Sequence, residues 1–345
     1  MLKNILISGA GIAGPTLAFW LARYGMRVTV VERASKIRTE GQTIDVRGAG
    51  IEIMRKMGID KIIRNSTTEE EGIKFVDGDN HIKAAFPVHA VGGPDFVSEI
   101  EIVRGELATI LYEHTRNNVE YIFGDKITGI VDRDDRVQIK FAKTTDRDFD
   151  LVLIADGLGS RTRELVNSSY FSIPYEESDG TWARWYNAPG RRCIALRPDG
   201  RGRQTTRAYL AICISENIFE KSDVDNQKAE LHKLFGDAGW EAPRVLSAMD
   251  RSTDFYLQEV AQLKMNTWSK GRIALLGDAG YCPSPISDMG TTVAIVGAYV
   301  LAGEIAHHKD YKDAFASYET ILRPFITKAQ ALLPGAPQIA NPQTQ

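Results

Sequence analysis

Cysteine is scarce. The 345 residues hold three, Cys193, Cys213 and Cys282, an odd number with no C-x-x-C pair. That excludes a disulfide scaffold and suits a reducing compartment. An excess of one charge sign is also lacking: 42 Lys and Arg face 45 Asp and Glu, for a net charge of −3. Nothing here offers an electrostatic footprint for nucleic acid, and the basic run Arg201–Arg203 reads as solvated loop charge. The six histidines form no H-E-x-x-H or related spacing, and adjacent His307 and His308 diverge on a helix. No metal site is expected. Long hydrophobic runs are missing too. Ile5–Ala22 is broken by three glycines and Pro15, and no signal peptide is visible. Gly290–Ala306 is nearly uncharged, but its 17 residues are marginal for a bilayer and Glu304 sits near its end. It reads as a buried helix, and the chain as cytoplasmic with no membrane span.

What remains is ordinary globular material, 43% hydrophobic and 25% charged, enough to bury a core in two lobes. The chain opens with a predicted strand, Lys3–Ser8, a Gly turn, a helix over Ile12–Tyr24 and a second strand, Arg27–Glu32. Both strands are continuous apolar runs, the pattern of a parallel sheet covered on both faces. Helices are predicted at Gly48–Met57 and Glu106–Arg116, and strands at Val119–Phe123, Thr128–Asp132, Val137–Phe141 and Asp150–Ala155. The middle differs. Trp182–Asn187, Arg192–Leu196 and Thr206–Ile214 alternate and carry aromatics, as antiparallel strands of a second lobe do. A helix near Asn226–Ala238 follows. Strand Arg272–Leu276 returns to the first lobe, and helices Met289–His307 and Tyr311–Ala331 close the chain. The fold class is α/β, with a first lobe drawn from both ends of the sequence. The expected division is 1–75, 100–165 and 270–310 for that lobe, 76–99 and 166–269 for the second, a C-terminal helix over 311–332 and a frayed tail over 333–345.

Three motifs carry chemistry. Gly9-Ala10-Gly11-Ile12-Ala13-Gly14 is a G-x-G-x-x-G between strand and helix. The first Gly allows the tight turn, the second lets backbone approach a pyrophosphate, and the third lets helix pack on strand. Glu32, 21 residues after Gly11, ends the second strand, where a carboxylate can accept ribose hydroxyls. The second motif, Leu153–Arg163, is a strand ending in Asp156-Gly157; Asp156 could equally cap a turn. The third, Gly271–Pro285, runs a strand into Gly277-Asp278 and a Pro-containing loop before a helix. Its Asp can accept a polyol hydroxyl, and the helix-start amides can hold an oxygen that gains charge. Asp288, just before the predicted helix start, reads as its N-cap.

In this order the three elements resemble the FAD-dependent aromatic hydroxylases, the group A flavoprotein monooxygenases of the para-hydroxybenzoate hydroxylase fold. Gly41–Gly48 (G-Q-T-I-D-V-R-G) and Arg104–Leu107 (R-G-E-L) resemble the tetracycline-inactivating and polyketide-tailoring branch. The resemblance runs from residue 3 to about 330. It implies a Rossmann-like FAD-binding lobe, a smaller mixed-sheet substrate lobe and C-terminal helices. It also implies transient NAD(P)H binding, hydride transfer to FAD, oxygen addition at flavin C4a and transfer of one oxygen atom to an aromatic or polyketide-like molecule. By resemblance, Gly9, Gly11 and Gly14, with Ile12 and Ala13 between them, face the FAD pyrophosphate. Glu32 and Arg33 hold the adenosine, Arg104 and Asp278 the ribityl and pyrophosphate region, and Asp45 lies near the flavin. Asp156 and Gly157 match a fingerprint for FAD and NAD(P)H, Arg38 the nicotinamide-cofactor contact, and Pro285 and Gly290 border the ring. The resemblance assigns no catalytic side chain.

Trp182, Arg184 and Tyr186 share a face by alternation and suit a planar oxygenated ligand, although an ordinary sheet surface fits as well. Two departures from the family pattern stand out: Asp288 occupies a usual Gly position, and the segment from Leu165 to Pro174 looks shorter than in relatives. Two rival readings stay open, a flavoprotein oxidase or dehydrogenase and a degenerate ligand-binding relative with little turnover. Oligomeric state is not read from the sequence.

Overall fold

The structure is a computed structural model that describes residues 3–39, 41–68, 70–88, 100–133, 135–157, 165–200, 204–214, 219 and 223–332. The expectations for Arg201–Arg203, for the turn after Gly157 and for the tail over 333–345 lie outside the described residues.

The chain runs β1 (Asn4–Ser8), α1 (Ala13–Arg23), β2 (Arg27–Glu32), β3 (Thr43–Val46), α2 (Ala49–Met57), α3 (Asp60–Arg64), β4 (Gly72–Val76) and β5 (Ile82–Pro87). Next come β6 (Ile100–Val103), α4 (Arg104–Thr115), β7 (Glu120–Phe123), β8 (Ile127–Asp132), β9 (Val137–Phe141), β10 (Arg147–Phe149) and β11 (Leu151–Ile154). The middle holds β12 (Leu165–Pro174), β13 (Ala183–Ala188), β14 (Arg192–Pro198), β15 (Thr205–Ile214), α5 (Val224–Phe235), α6 (Ala242–Arg251) and β16 (Tyr256–Val260). Last are β17 (Ser269–Lys270), β18 (Ile273–Leu275), α7 (Asp278–Tyr281), α8 (Gly290–His307) and α9 (Tyr311–Ala329).

The first sheet has the order β17-β18-β11-β1-β2-β7. Its central strands are parallel, with Ile5 beside Val28 on one side and Leu151 on the other. These strands are apolar throughout because both faces are covered. On one face α1 and α8 bring Leu17, Leu21, Ile295 and Leu301 onto Ile5, Ile7 and Val30 in a single core. On the other, the β8–β9–β10 meander packs Val137, Ile139 and Phe149 onto Leu6, Val31 and Val152. Helix α8 is apolar and long enough to cross a membrane by length and composition. In the fold it lies against α1, α2 and α9, and its side chains fill the core.

The second sheet is mostly antiparallel, in the order β16-β12-β15-β14-β13-β4-β5. One face packs Phe171, Ile194, Leu196 and Leu210 against Phe235, Val245 and Met249 of α5 and α6. The opposite face carries Ala195, Trp185 and Tyr209 toward the first sheet, where Ile286 of the Pro285–Ser287 turn meets it. Two expectations change here. Strand β4 pairs with β13, so the crossing into the second sheet comes before Gly72, not after residue 75. The segment Leu165–Pro174 is given no element by the sequence reading. It is an inner ten-residue strand paired with β15 and β16. Its Asn, Ser and Tyr residues conceal a strand because two neighbours, not apolar burial alone, hold it.

Candidate functional site

A cavity of about 1030 Å³ runs between the two sheets. One end is the turn after β1. There Gly9 has φ +104°, and a Cβ on it would meet the Ala155 carbonyl oxygen at 2.5 Å. A Cβ on Gly14 would lie 2.0 Å from the Gly9 carbonyl oxygen, so that glycine lets α1 seat on the turn. Gly11 is different: its Cβ direction meets only Arg104 Nη2, at 3.6 Å, and opens into the cavity. Helix α1 starts with no side-chain cap and no acidic residue in its first turn. An N-terminus left this way favours an anionic group.

Two carboxylates flank that turn. Glu32, ending β2, accepts from the Ala10 and Ala34 amides, both at 2.9 Å. Asp156, after β11, accepts from Ser8 Oγ at 2.8 Å. Burial pushes the Asp156 carboxyl above its ordinary range and Glu32 adds to this, with Ser8 opposing. Further along, Arg104 opens α4 with its amide donating to the Gln42 carbonyl at 2.9 Å. Asp278 starts the short α7. Burial raises its carboxyl, against a hydrogen bond with Cys282 and the charge of Arg104.

The other end is aromatic and ionic. Phe75, Phe86, Trp185, Tyr170 and Tyr209 line it from the second sheet. Tyr170 stacks on Tyr256 at 5.1 Å, and Trp185 lies 5.7 Å from Tyr209. Among them, Asp45 accepts from Arg47 at 2.5 Å, and Arg197 pairs with Glu70 at 3.1 Å and with Glu101. Asp288 projects into the same chamber.

The profile of a family described as "FAD binding domain" matches residues 3–331. An FAD-dependent monooxygenase of Sarocladium schorii is 36% identical over 370 residues, spanning 96% of this chain and 87% of its own. An uncharacterized protein of Mycobacterium tuberculosis (strain H37Rv) is 37% identical over 347 residues, 96% of this chain and 93% of its own. Among solved structures, tetracycline destructase Tet(51) superposes with a TM-score of 0.84 at 32% identity, covering 96% of this chain and 89% of that one. The chain belongs to this FAD-binding family. It is an FAD-dependent monooxygenase, an oxidoreductase with a small-molecule substrate and oxygen as co-substrate.

Most residues that the sequence singles out in this monooxygenase lie in the wall of one cavity. Gly9, Gly11, Ile12, Ala13, Glu32, Arg33 and Arg38 are there, as are Asp45, Arg104, Asp156, Gly157, Asp278, Pro285 and Gly290. Gly14 is not in the wall; its α-carbon faces the Gly9 carbonyl and serves packing.

The second-lobe expectation is corrected. Arg184 and Tyr186 do share a face, but it is the face under α5 and α6. Arg184 pairs with Asp179 at 2.6 Å and Glu241 at 3.2 Å, and the Tyr186 hydroxyl donates to the Ala238 carbonyl at 2.8 Å. Trp182 precedes the strand and donates to Glu71 at 2.8 Å, with Lys74 over its ring. The cavity face of β13 holds Ala183 and Trp185 instead. Alternation found the pairing but could not say which side faced the cavity, because both faces carry aromatics.

Asp288 is not a helix N-cap either. It lies in the left-handed region (φ 51°), Met289 holds the cap position, and the Met289 amide donates to Ser287 Oγ at 3.2 Å. Glu70, Glu101, Arg197 and Tyr209 were not singled out from the sequence. Glu101, Arg197 and Tyr209 lie on three strands and Glu70 just before a fourth, and no local motif joins them.

Proposed function

We propose that the enzyme uses NAD(P)H to drive insertion of one oxygen atom into a planar phenolic or polyketide-like molecule held at the aromatic end of the cavity. The observation that carries this reading is the continuity of that cavity. A glycine turn at an uncapped helix start opens, without a wall, into a chamber lined by aromatic rings. FAD, when bound, supplies the redox chemistry and the activation of oxygen.

The residues fit such a dinucleotide. Gly11 leaves room where any side chain would intrude, and the α1 N-terminus favours phosphate. Glu32 and Arg33 stand where an adenosine ribose and base would be held, and Asp278 and Arg104 where a polyol chain would pass. Arg38 is exposed at the cavity rim and fits a transient nicotinamide-cofactor contact. The aromatic walls exclude water and orient a flat ligand. The name of the tetracycline destructase Tet(51) favours a polycyclic ligand for this chain as well.

We divide the molecule into a discontinuous FAD lobe around the first sheet and a substrate lobe around the second, with α9 docked on the former. The three buried free cysteines suit a cytoplasmic site of action.

The test is direct. Heat-released cofactor identified as FAD, with NAD(P)H consumption under air stimulated by a phenolic or polyketide ligand and a product heavier by one oxygen atom, is the expected result. Product formed equally well without oxygen, or no stimulation by any such ligand, overturns the reading.

A further inference from the structure

The aromatic chamber contains one acidic group without a protein partner. Arg47 is engaged by Asp45, and Arg197 by Glu70 and Glu101. The Asp288 carboxylate has no hydrogen-bond or ion-pair partner among the described residues; only longer-range charges act on it. Its backbone is held in the left-handed region, with its amide donating to the Pro285 carbonyl at 3.1 Å. Asp tolerates that conformation better than most residues. The side chain is therefore free of capping duty and directed into the cavity that Trp185 and Tyr209 line.

We propose that Asp288 is an acid–base residue for the substrate, accepting the proton of an ionisable phenol or enol hydroxyl on the molecule that enters the aromatic chamber. The inference rests on the phenolic or polyketide reading above. The step is a proton transfer: the substrate O–H bond breaks, an O–H bond forms on Asp288 Oδ, and the electron pair stays on the substrate oxygen. The ring or enol so produced is more electron-rich and a better acceptor of an electrophilic oxygen atom.

The surroundings favour the exchange. Asp45 of β3 and Arg47 just after it face Asp288, with Arg197 from β14 and Tyr209 from β15. Asp288 keeps solvent access, but the protein packed around the chamber first, then Asp45, push its carboxyl up to about 6, against Arg47 and Arg197. A carboxyl in that range is ionised near neutrality yet takes a proton more readily than an ordinary aspartate, which is what a general base needs. Asp45 is a positioning residue in this scheme: its charge raises the proton affinity of Asp288 without touching the substrate.

The experiment uses FAD-loaded protein and 4-nitrophenol as probe, because the free probe is largely ionised at about pH 8. Titration calorimetry in two buffers of different ionisation enthalpy counts protons taken up on binding. Wild type is expected to take up close to one proton per probe at about pH 8, since a single proton is then shared between probe oxygen and Asp288. D288N, which keeps the left-handed turn, is expected to take up nearly none. D288G, which relaxes that turn, should behave like D288N. D45N should retain uptake but move its midpoint to lower pH. Equal proton uptake by wild type and D288N overturns the role of Asp288 and leaves the phenolic reading standing. Failure of 4-nitrophenol and of unsubstituted phenol to bind wild type at all overturns both. As a second readout, D288N should form product from a phenol of tyrosine-like acidity, about 10, roughly 10²-fold more slowly.

Discussion

The two ends of the cavity are made of different materials. At the glycine turn, backbone forms the surface: helix amides, a tight bend, and carboxylates that accept from neighbouring amides. At the aromatic end, side chains from the strands of a mostly antiparallel sheet form it. Backbone surfaces depend on a few residue types at fixed local spacing, so their sequence constraints are local. Side-chain surfaces depend on which face of each strand turns inward, which is a long-range property. The first end can bind the same cofactor throughout a family while the second is free to change its ligand.

That contrast can be broken most severely inside the glycine motif. Gly14→Val is expected to destabilise the fold by about 5 kcal/mol, because its Cβ would collide with backbone and not with a movable side chain. Gly11→Ala should leave thermal stability within about 0.5 kcal/mol yet weaken FAD binding. Melting curves and FAD titrations separate the two, and equal loss of stability would show that Gly11 is structural as well.

Next comes the network behind the aromatic end. Asp179 pairs with Arg184 and with Arg244, each at 2.6 Å. Burial works to raise its carboxyl, but hydrogen bonds from Arg244, the Glu176 amide and Thr206 outweigh it and hold it below the ordinary range. Its stabilisation is therefore present above the unfolded value near 3.9 and is lost as pH falls through the lower folded value. Asp179→Ala should remove about 1.5–3 kcal/mol near neutral pH by deleting the buried acceptor that Arg184 and Arg244 share, both of which keep Glu241. The difference between variant and wild type should shrink under strong acid in denaturant titrations. The affinity for FAD should not change, since the network lies under α6, outside the cavity wall.

A smaller effect sharpens the polar part of the first end. The Asp278 carboxyl is raised in the fold, so the advantage of its protonated form is full below the unfolded value and is lost as pH rises through the folded one. Ionising it burdens the apo-protein. Asp278→Asn should make apo-protein more stable while FAD binding weakens by about 1.5–3 kcal/mol. Asp156→Asn should weaken FAD binding less, as Asp156 already serves Ser8. The reverse order in FAD titrations would reassign these two carboxylates. The smallest effect concerns aromatic stacking. Trp185→Ala should raise the KM of a planar substrate by about 0.5–1.5 kcal/mol, whereas Trp182→Ala should leave it unchanged. Steady-state kinetics on both would expose a wrong choice of face.

Legibility follows the same division. The β1–α1–β2 unit, the buried strand β11 and the return of β18 from far along the chain were readable, because apolar runs and glycines mark parallel strands locally. Strand β12 was not: N-S-S-Y looks like a loop until both neighbours are known. The Arg197–Glu70–Glu101 cluster was not readable either, since its members lie on β14, before β4 and on β6. Asp288 stands out in the sequence as an acid where the family pattern has glycine. Its capping role was mistaken, because a single left-handed residue separates the turn from α8 and aims the side chain elsewhere.

The return of β18 to the first sheet has a consequence for biosynthesis. Leu153 and Ile154 pair with Ala274 and Leu275, so that edge of the sheet stays open while the intervening chain is translated. At ~5–20 residues/s this exposes an apolar strand edge for on the order of 10 s. Helix α8, which covers the same core, arrives later still. The cofactor site therefore cannot mature as an N-terminal unit on the ribosome. During that interval the nascent chain is a client for chaperones that shield unpaired strands, and the cavity wall, which takes Asp278 and the loop before α8 as well as the glycine turn, is complete only at the end of synthesis.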